Sequence, residues 1–516
     1  MSHCVTGRVP GTAVGSLVTA LVAASMMLAA TALPGRAAGS DTSSAETRFH
    51  TGCQPGPFTE PAYEAAGSPA VSLGPARAVS LDVAIDSAHA RRPILGSGFN
   101  FEHALWSCPQ FRHVLRSQLL EPFHPAYARL DTGLLPAAPA DLTAAELGPE
   151  VYAAVLDSTP YADSWRFFHR LERADVQVLL GIWGGPAQFT DTGTRLGTLL
   201  PEHYDDYVEY VASVIDYLVQ RQGIQVWATT IANEPDGGDG NRIPPPGLAY
   251  IAHQLAPRLA AYGVKLYGPD TSSAAAAMAY VPLLLDDPDV VANLAFVGFH
   301  QYYPTPDVAT VAEYVALDRP SLPVIVTEYT SMRYGDLDAG EESSDQLGFT
   351  LDVAETLLAH YRYGADAAIY WDAVDYLQPG HDAITKWGLL GGPESGFAPR
   401  TRYFGLLQVL SYLQPGAKIL GERQETEPGA SVGTLALRTR EGDLAIVAVN
   451  AGLTDVELQL QLTGDGAPRA SVFDLTRTDR THSAETLGEV YLHDARGMVF
   501  LPGRSITTLV DRHKTD

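Results

Sequence analysis

Two textures of hydrophobic patterning divide the chain. Between residues 93 and 375, short and nearly continuous apolar runs recur, separated by longer stretches whose apolar positions repeat at helical spacing. The runs are PILGSGF (93–99), AYARLD (126–131), VQVLLGIW (176–183), QVWATTIANE (225–234), VKLYGPD (264–270), LAFVGFHQY (294–302), LPVIVTEY (322–329) and AAIYWDAVD (367–375). Runs without alternation belong to strands buried on both faces, as in a parallel sheet covered by helices. YDDYVEYVASVIDYLVQRQ (204–222) and DQLGFTLDVAETLLAHYRYG (345–364) read as two of the covering helices. Eight such strands predict an α/β fold, a (β/α)8 TIM barrel with loop insertions over 91–402.

The flanking regions alternate with period two instead. GTLALRTREGDLAIVAVN (433–450) reads as two strands about a polar turn, followed by VELQLQL (456–462), ASVFDL (470–475), GMVFLP (497–502) and SITTLV (505–510). Short alternating strands with frequent turns predict an accessory β-sandwich over 403–516, entered through YFGLLQVLSYLQPGAKIL (403–420). VSLDVAID (79–86) shares this texture, so the strand at 77–90 is expected to complete the sandwich, with the barrel inserted between. A chain of 516 residues is too long for one ordinary core, in keeping with two domains.

The N-terminus changes the cellular context. Arg8 precedes AVGSLVTALVAASMMLAATAL (13–33) and then small residues up to Ala38, which predicts a secretory signal peptide over 1–38. A single membrane anchor is the alternative, but no basic stop-transfer cluster follows, so no stable membrane insertion is expected after cleavage. Residues 39–76, rich in Gly, Ser, Pro and Ala without periodicity, suit an extended arm. Of three cysteines, Cys4 would leave with the signal peptide. Cys53 and Cys108 then remain as a pair in an oxidising compartment and are expected to form a disulfide, two buried thiols being the alternative.

Sixty acidic against 34 basic residues give a formal net charge of −26, with no basic block. That excludes a nucleic-acid partner, which needs clustered Lys and Arg. No Cys-x-x-Cys repeat or His-Glu-x-x-His occurs, and PDGGDGN (235–241) lacks the spacing and terminal Glu of a calcium loop. Neither a metal nor an organic cofactor is therefore expected. Oligomeric state stays open.

Polar residues gather at the C-terminal ends of the proposed barrel strands: Arg129, Trp183, Asn233, Glu234, His300, Tyr302, Glu328, Tyr329 and Trp371. In a TIM barrel these ends share one site. Glu234 closes the fourth run and Glu328 the seventh, so their carboxyl groups can approach across the barrel mouth. Glycoside cleavage uses such a pair, one carboxyl protonating the departing oxygen and the other meeting the charge that develops at the anomeric carbon. Singly, each residue has a plainer reading. Asn233-Glu234-Pro235 can cap a helix, Arg129 can pair with Asp131 or a core carboxylate, and His300 or Trp371 can be structural. Asn100, Glu102 and His103 after the first strand can bind sugar or only shape a loop. Asp270, Asp372, Asp375 and Lys386 also fall near the site, without a feature that assigns them.

ANEP after the fourth run, TEY at the seventh, FHQY at the sixth, an Arg at the second and YWD at the eighth together resemble the retaining glycoside hydrolases of clan A. The flanking strand plus C-terminal sandwich resembles family 30, or the related family 39. The resemblance implies that Glu234 is the general acid and base and Glu328 the nucleophile. It further implies that Asn233 holds the sugar 2-hydroxyl, Arg129 keeps the nucleophile ionised, and His300 and Tyr302 orient the carboxylates. Trp371 would floor the sugar subsite and Trp183 would wall it. Two departures stand out: Thr327 precedes Glu328 where family 30 commonly has Ser, and GSGFNFEHALW (96–106) replaces a Gly-Gly pair. The expected substrate is a neutral β-linked oligosaccharide or polysaccharide. A carbohydrate-binding barrel without turnover and a transglycosylase are the alternatives.

Overall fold

The computed structural model describes residues 79–511 apart from 103–104, 107, 132–138, 140, 159–161, 238, 335–336, 338–339, 342, 378–383, 427–430 and 465–469. The expected signal peptide, the arm, Cys53 and His103 lie outside the described residues. Cys108, 3 % exposed, is disulfide-bonded. Among the described residues no helix is long and apolar enough to cross a membrane.

The first strand, β1 (Val79–Ala90), belongs to the second sheet of the molecule. The next eight are β2 (Gly96–Phe101), β3 (Tyr127–Asp131), β4 (Gln177–Gly181), β5 (Val226–Thr229), β6 (Lys265–Thr271), β7 (Leu294–His300), β8 (Val324–Tyr329) and β9 (Ala367–Tyr370). They pair in parallel in chain order, and β9 closes on β2. This is the TIM barrel the unalternating runs predict. Its strands are buried on both faces because alternate residues serve two cores. In β3, Ala128 and Leu130 face outward into the helix layer, while Tyr127 joins Leu179, Ala228, Tyr267, Phe296, Ile325, Ala367 and Ile369 inside the barrel. Aromatic rings fill that interior: Trp227 stacks on Tyr127 at 5.4 Å and on Phe296 at 5.6 Å, and Phe296 on Tyr267 at 4.8 Å.

The helices at 204–222 and 345–364 are present as Tyr204–Asp216, which continues into a π-helical turn, and Gln346–Arg362. The Asp345 side chain caps the second, accepting the Gly348 N–H at 2.9 Å.

Some apolar runs outlast their strands. The run at 225–234 is a strand only to Thr229. Beyond it the backbone N–H groups leave the regular ladder, Asn233 donating to Ile182 O at 2.6 Å and Glu234 to Asp270 O at 2.9 Å. Glu234 itself adopts a left-handed backbone with φ 41°, uncommon for a residue with a Cβ and held here by its neighbours.

After Tyr370 the helix Thr401–Leu410 leads to β10 (Lys418–Thr426), β11 (Val432–Arg438), β12 (Leu444–Asn450) and β13 (Val456–Thr463). Then come β14 (Ala470–Thr478), β15 (Glu485–His493), β16 (Arg496–Leu501) and β17 (Ser505–Asp511). With β1 these make a nine-stranded sheet that closes in the order β1-β10-β11-β12-β17-β14-β15-β16-β13. β1 runs antiparallel to β10 and parallel to β13, and Leu81, Val83 and Ile85 enter its core beside Leu458, Leu460 and Leu462. Two strands escape the pattern argument. β15 is mostly exposed, so it shows no apolar face. In β10, Glu422 turns a carboxylate toward the Thr434 hydroxyl and the Ala436 N–H, a polar contact that hides the alternation. Gln408 of the helix Thr401–Leu410 donates to Ile506 O at 3.2 Å and Thr508 Oγ1 at 3.0 Å. Arg504 pairs with the capping Asp345, so the second sheet grips two helices of the barrel.

Candidate active site

Above the aromatic layer the barrel interior turns polar around Arg129, which is fully buried. A guanidinium has five N–H donors, and here five acceptors meet them. Nε donates to Tyr267 Oη at 3.1 Å. Nη1 donates to Asn100 Oδ1 at 3.0 Å and Glu328 Oε1 at 2.5 Å. Nη2 donates to Asn233 Oδ1 at 2.7 Å and Asp270 Oδ2 at 2.8 Å. The ring of Trp183 lies 4.3 Å from the guanidinium carbon. Gly181 allows this approach, since a Cβ there would sit 2.3 Å from the Trp183 ring and 3.2 Å from Arg129 Cζ.

The alternation of the strands breaks where the carboxylates gather. In β8, Thr327 turns inward, its hydroxyl donating to Asp270 Oδ1 at 2.6 Å, and strict period two would send Glu328 outward. Register shifts between Phe299 and His300 and between Val326 and Tyr329 instead bring Glu328 opposite His300. Such irregularities re-aim side chains at the rim of a barrel. β6 does the same between Pro269 and Thr271, where Asp270 has φ 62°.

Glu328 accepts hydrogen bonds on both oxygens, from Arg129 on one and from the Tyr302 hydroxyl on the other. Glu234 Oε1 lies 2.8 Å from His300 Nδ1, and its Oε2 accepts the Asp239 N–H at 2.7 Å. The same His300 nitrogen is 3.3 Å from Glu328 Oε2. Single ligand atoms of Glu234, His300 and Glu328 all fall within 4.8 Å of one another. That spacing would reach a metal ion, but hydrogen-bond donors already occupy both Glu328 oxygens and one Glu234 oxygen faces the imidazole. The cluster is therefore filled with protons rather than built as a cation cage.

Burial raises the Glu234 pKa, but the His300 hydrogen bond and charge outweigh it and the group is held below the usual carboxylate range. Burial also raises Glu328, and His300 and Arg129 offset this only in part. Burial disfavours charge on His300, yet Glu328, Asp270 and Glu234 surround it and lift its pKa to about 10. Asp270 would be raised by burial, but Arg129 and His300 pull it down to about 2. Tyr302 stays protonated, burial and the Glu328 charge pushing it well above the phenol range.

Trp371 is half-buried beside this cluster, its ring 5.8 Å from that of Trp183. Asn100 is committed elsewhere: its amide donates to Thr327 O at 3.1 Å and Tyr370 O at 3.3 Å. Asn233 donates to Asp239 O at 2.7 Å, and Gly240 passes so close to the Asn233 carbonyl that a Cβ there would lie 1.8 Å from its oxygen. Glu102, 4 % exposed, lines a narrow cleft with Asn100, Phe101, Arg129, Trp371 and Asp372. Lys386 pairs with Glu394 at 3.4 Å and Asp375 with Arg400. Two members of the network, Tyr267 and Thr327, were not expected, and Asp270 had no role. Tyr267 and Thr327 look like ordinary strand filling, and Asp270 turns inward only through the register shift in β6, so no pattern along the chain marks them.

The fold, a barrel with a β-rich domain attached, is like that of solved family 30 glycoside hydrolases. The family 30 endoxylanase of Clostridium papyrosolvens superposes with a TM-score of 0.62 at 18 % identity, covering 84 % of this chain and 100 % of the endoxylanase. SrfJ of Salmonella typhimurium gives 0.62 at 15 % identity over 84 % and 93 % of the two chains. An endo-β1,6-glucanase gives 0.59 at 17 % identity over 84 % and 95 %. No protein-family profile matches the sequence, and no curated protein matches it significantly.

Proposed function

We propose that this protein is a secreted glycoside hydrolase that cleaves β-linked, neutral oligosaccharides or polysaccharides with retention of configuration. The observation that carries the reading is the pair Glu234 and Glu328, two carboxyl groups meeting on one imidazole with oxygens within 4.8 Å of each other. Carboxyl groups about 5 to 5.5 Å apart suit direct attack on the sugar, whereas a wider gap admits water and inverts. Glu328 is the nucleophile: burial pushes its pKa up, and the donors on both oxygens work against that by stabilising the ionised form. Its oxygen attacks the anomeric carbon as the leaving oxygen takes a proton through Glu234, giving a glycosyl ester. Water then attacks the same carbon, Glu234 takes its proton, and Glu328 leaves.

Asn233 and Trp371 line the sugar subsite, the half-buried indole offering a face to the C–H side of the ring. Arg129 holds Glu328, Asn233 and Asn100 in register. Secretion rests on the N-terminal signal pattern, and the partner proposed for Cys108 is Cys53. The names of the similar structures, an endoxylanase and an endo-β1,6-glucanase among them, support a carbohydrate substrate.

The test is a panel of defined plant and microbial glycans with native protein and Glu328→Ala. Native turnover lost in the variant is expected. Equal activity would take the nucleophile's role from Glu328, and equal inertness with sugar still bound would leave a binding protein instead. Proton NMR of the first product should show the substrate's anomeric configuration, and longer oligosaccharides by mass spectrometry would reveal transglycosylation.

A further inference from the structure

Glu234 is held ionised by His300, although a general acid must deliver a proton. The imidazole touches both carboxylates through Nδ1, while Nε2 has no acceptor at hydrogen-bond distance among the described residues. That nitrogen faces Asp270 Oδ1 at 3.6 Å, an ion-pair contact too long for a hydrogen bond. Asp270 is fully buried and anchored by Arg129 and Thr327. Its carbonyl also accepts the Glu234 N–H. The groups around His300 are thus Glu234 after β5, Asp270 on β6, Tyr302 after β7 and Glu328 on β8. Arg129 of β3 lies behind Asp270 and Glu328, with Tyr267 at its Nε.

Resting on the glycosidase reading above, we propose that Asp270 is a positioning residue that keeps His300 charged, so that Glu234 and His300 together carry the single proton delivered to the leaving oxygen. In the first step the Glu328–carbon bond forms and the glycosidic C–O bond breaks, its electron pair going to the leaving oxygen. His300 Nδ1 passes its proton to Glu234, and Glu234 passes that same proton on to the leaving oxygen. Esterification removes the Glu328 charge, the imidazole loses one of its three carboxylate neighbours, and the neutral ring is favoured at that moment. In the second step Glu234 takes a proton from water and returns it to His300 as the Glu328 ester breaks. Protons and charges end where they began.

The experiment is nitrogen-15 NMR of histidine-labelled full-length protein, with His300→Gln assigning the signal, alongside kinetics of Asp270→Asn. In native protein the His300 ring is expected to carry both protons above pH 8, and in Asp270→Asn to lose one roughly a pH unit or more lower. On the sugar that the glycan panel identifies, Asp270→Asn should slow the phenyl glycoside about tenfold or more beyond the dinitrophenyl glycoside, whose leaving group needs little acid. The alkaline limb of its pH profile should move down by the same interval as the ring. Equal slowing of both substrates with an unmoved His300 titration means that Asp270 only braces Arg129, which overturns the proposal. If Asp270→Asn does not fold, a neutral His300 ring at pH 7 in the native protein overturns it, and a doubly protonated ring supports it. Neither NMR outcome depends on turnover, so an inert glycan panel would sink the glycosidase reading and the proton delivery with it, while the His300 titration would still decide whether Asp270 keeps the imidazole charged.

Discussion

Two layers of the same barrel interior solve opposite problems with the same strands. The lower layer packs Tyr127, Phe296 and Tyr267, buried, and the half-buried Trp227 as stacked rings. The upper layer buries Arg129, Asp270, His300 and Glu328. Apolar burial stabilises roughly in proportion to area, whereas buried charge costs heavily unless each group finds a partner. The upper layer is therefore tolerable only as a complete network, and Arg129 with five acceptors completes it. Tyr267 joins the layers, its ring in the stack and its hydroxyl on Arg129 Nε. The comparison teaches that a TIM barrel can place a costly, reactive layer directly on a stabilising one when two inward positions of one strand, such as Tyr127 and Arg129, differ in kind.

The widest separation between the layers should come from paired substitutions. Arg129→Leu leaves Asp270 and Glu328 buried without their cation and should destabilise the fold by about 3–5 kcal/mol in urea unfolding, with activity lost in the remaining folded protein. Phe296→Ala opens a cavity of similar cost, about 3–5 kcal/mol, yet should leave the kcat of folded protein within a few-fold. If Phe296→Ala abolished turnover at equal folded fraction, the layers would not be separable.

A second trial is pH. Asp270 is held down to about 2, so its stabilising contribution is full above the ordinary carboxylate pKa and lost as pH falls toward 2. His300 is lifted to about 10, so its contribution is full below the ordinary imidazole pKa of about 6.5 and lost as pH rises through 10. Thermal unfolding should weaken at both extremes, and His300→Gln should erase the alkaline loss and lessen the acid one, since His300 also helps to hold Asp270 down. The smallest effect is expected from Tyr267→Phe, which keeps the stack and removes one hydrogen bond to a buried cation, about 1.5–3 kcal/mol. A loss as large as that of Arg129→Leu would mean the hydroxyl, rather than the ring, joins the layers.

Where apolar runs are buried on both faces, as in LPVIVTEY and LAFVGFHQY, the strand is legible because its composition reflects two cores at once. Where a strand is wet on both faces, as β15 is, no pattern remains to read. The ends of runs misled for another reason. ATTIANE is apolar beyond Thr229 because Ile231 and Ala232 are buried, yet their backbone has left the ladder, and hydrophobicity reports burial rather than hydrogen bonding. Arg129, Asn233, His300, Tyr302 and the two glutamates were visible as polar residues interrupting apolar runs. Tyr267 and Thr327 were invisible, because an aromatic or a threonine in a strand looks like ordinary filling.

The sequence by itself determined that eight doubly buried strands would close a barrel, that an alternating β domain would flank it, and that two glutamates would come to its mouth. These follow from periodicity and composition, which act through burial alone. Only the tertiary structure decided which carboxylates share a proton donor. That depends on register shifts in β6, β7 and β8 that turn Asp270 and Glu328 inward, and on five acceptors converging on one guanidinium from four different segments. Angles and distances between segments set electrostatic energies, and no local pattern along the chain encodes them.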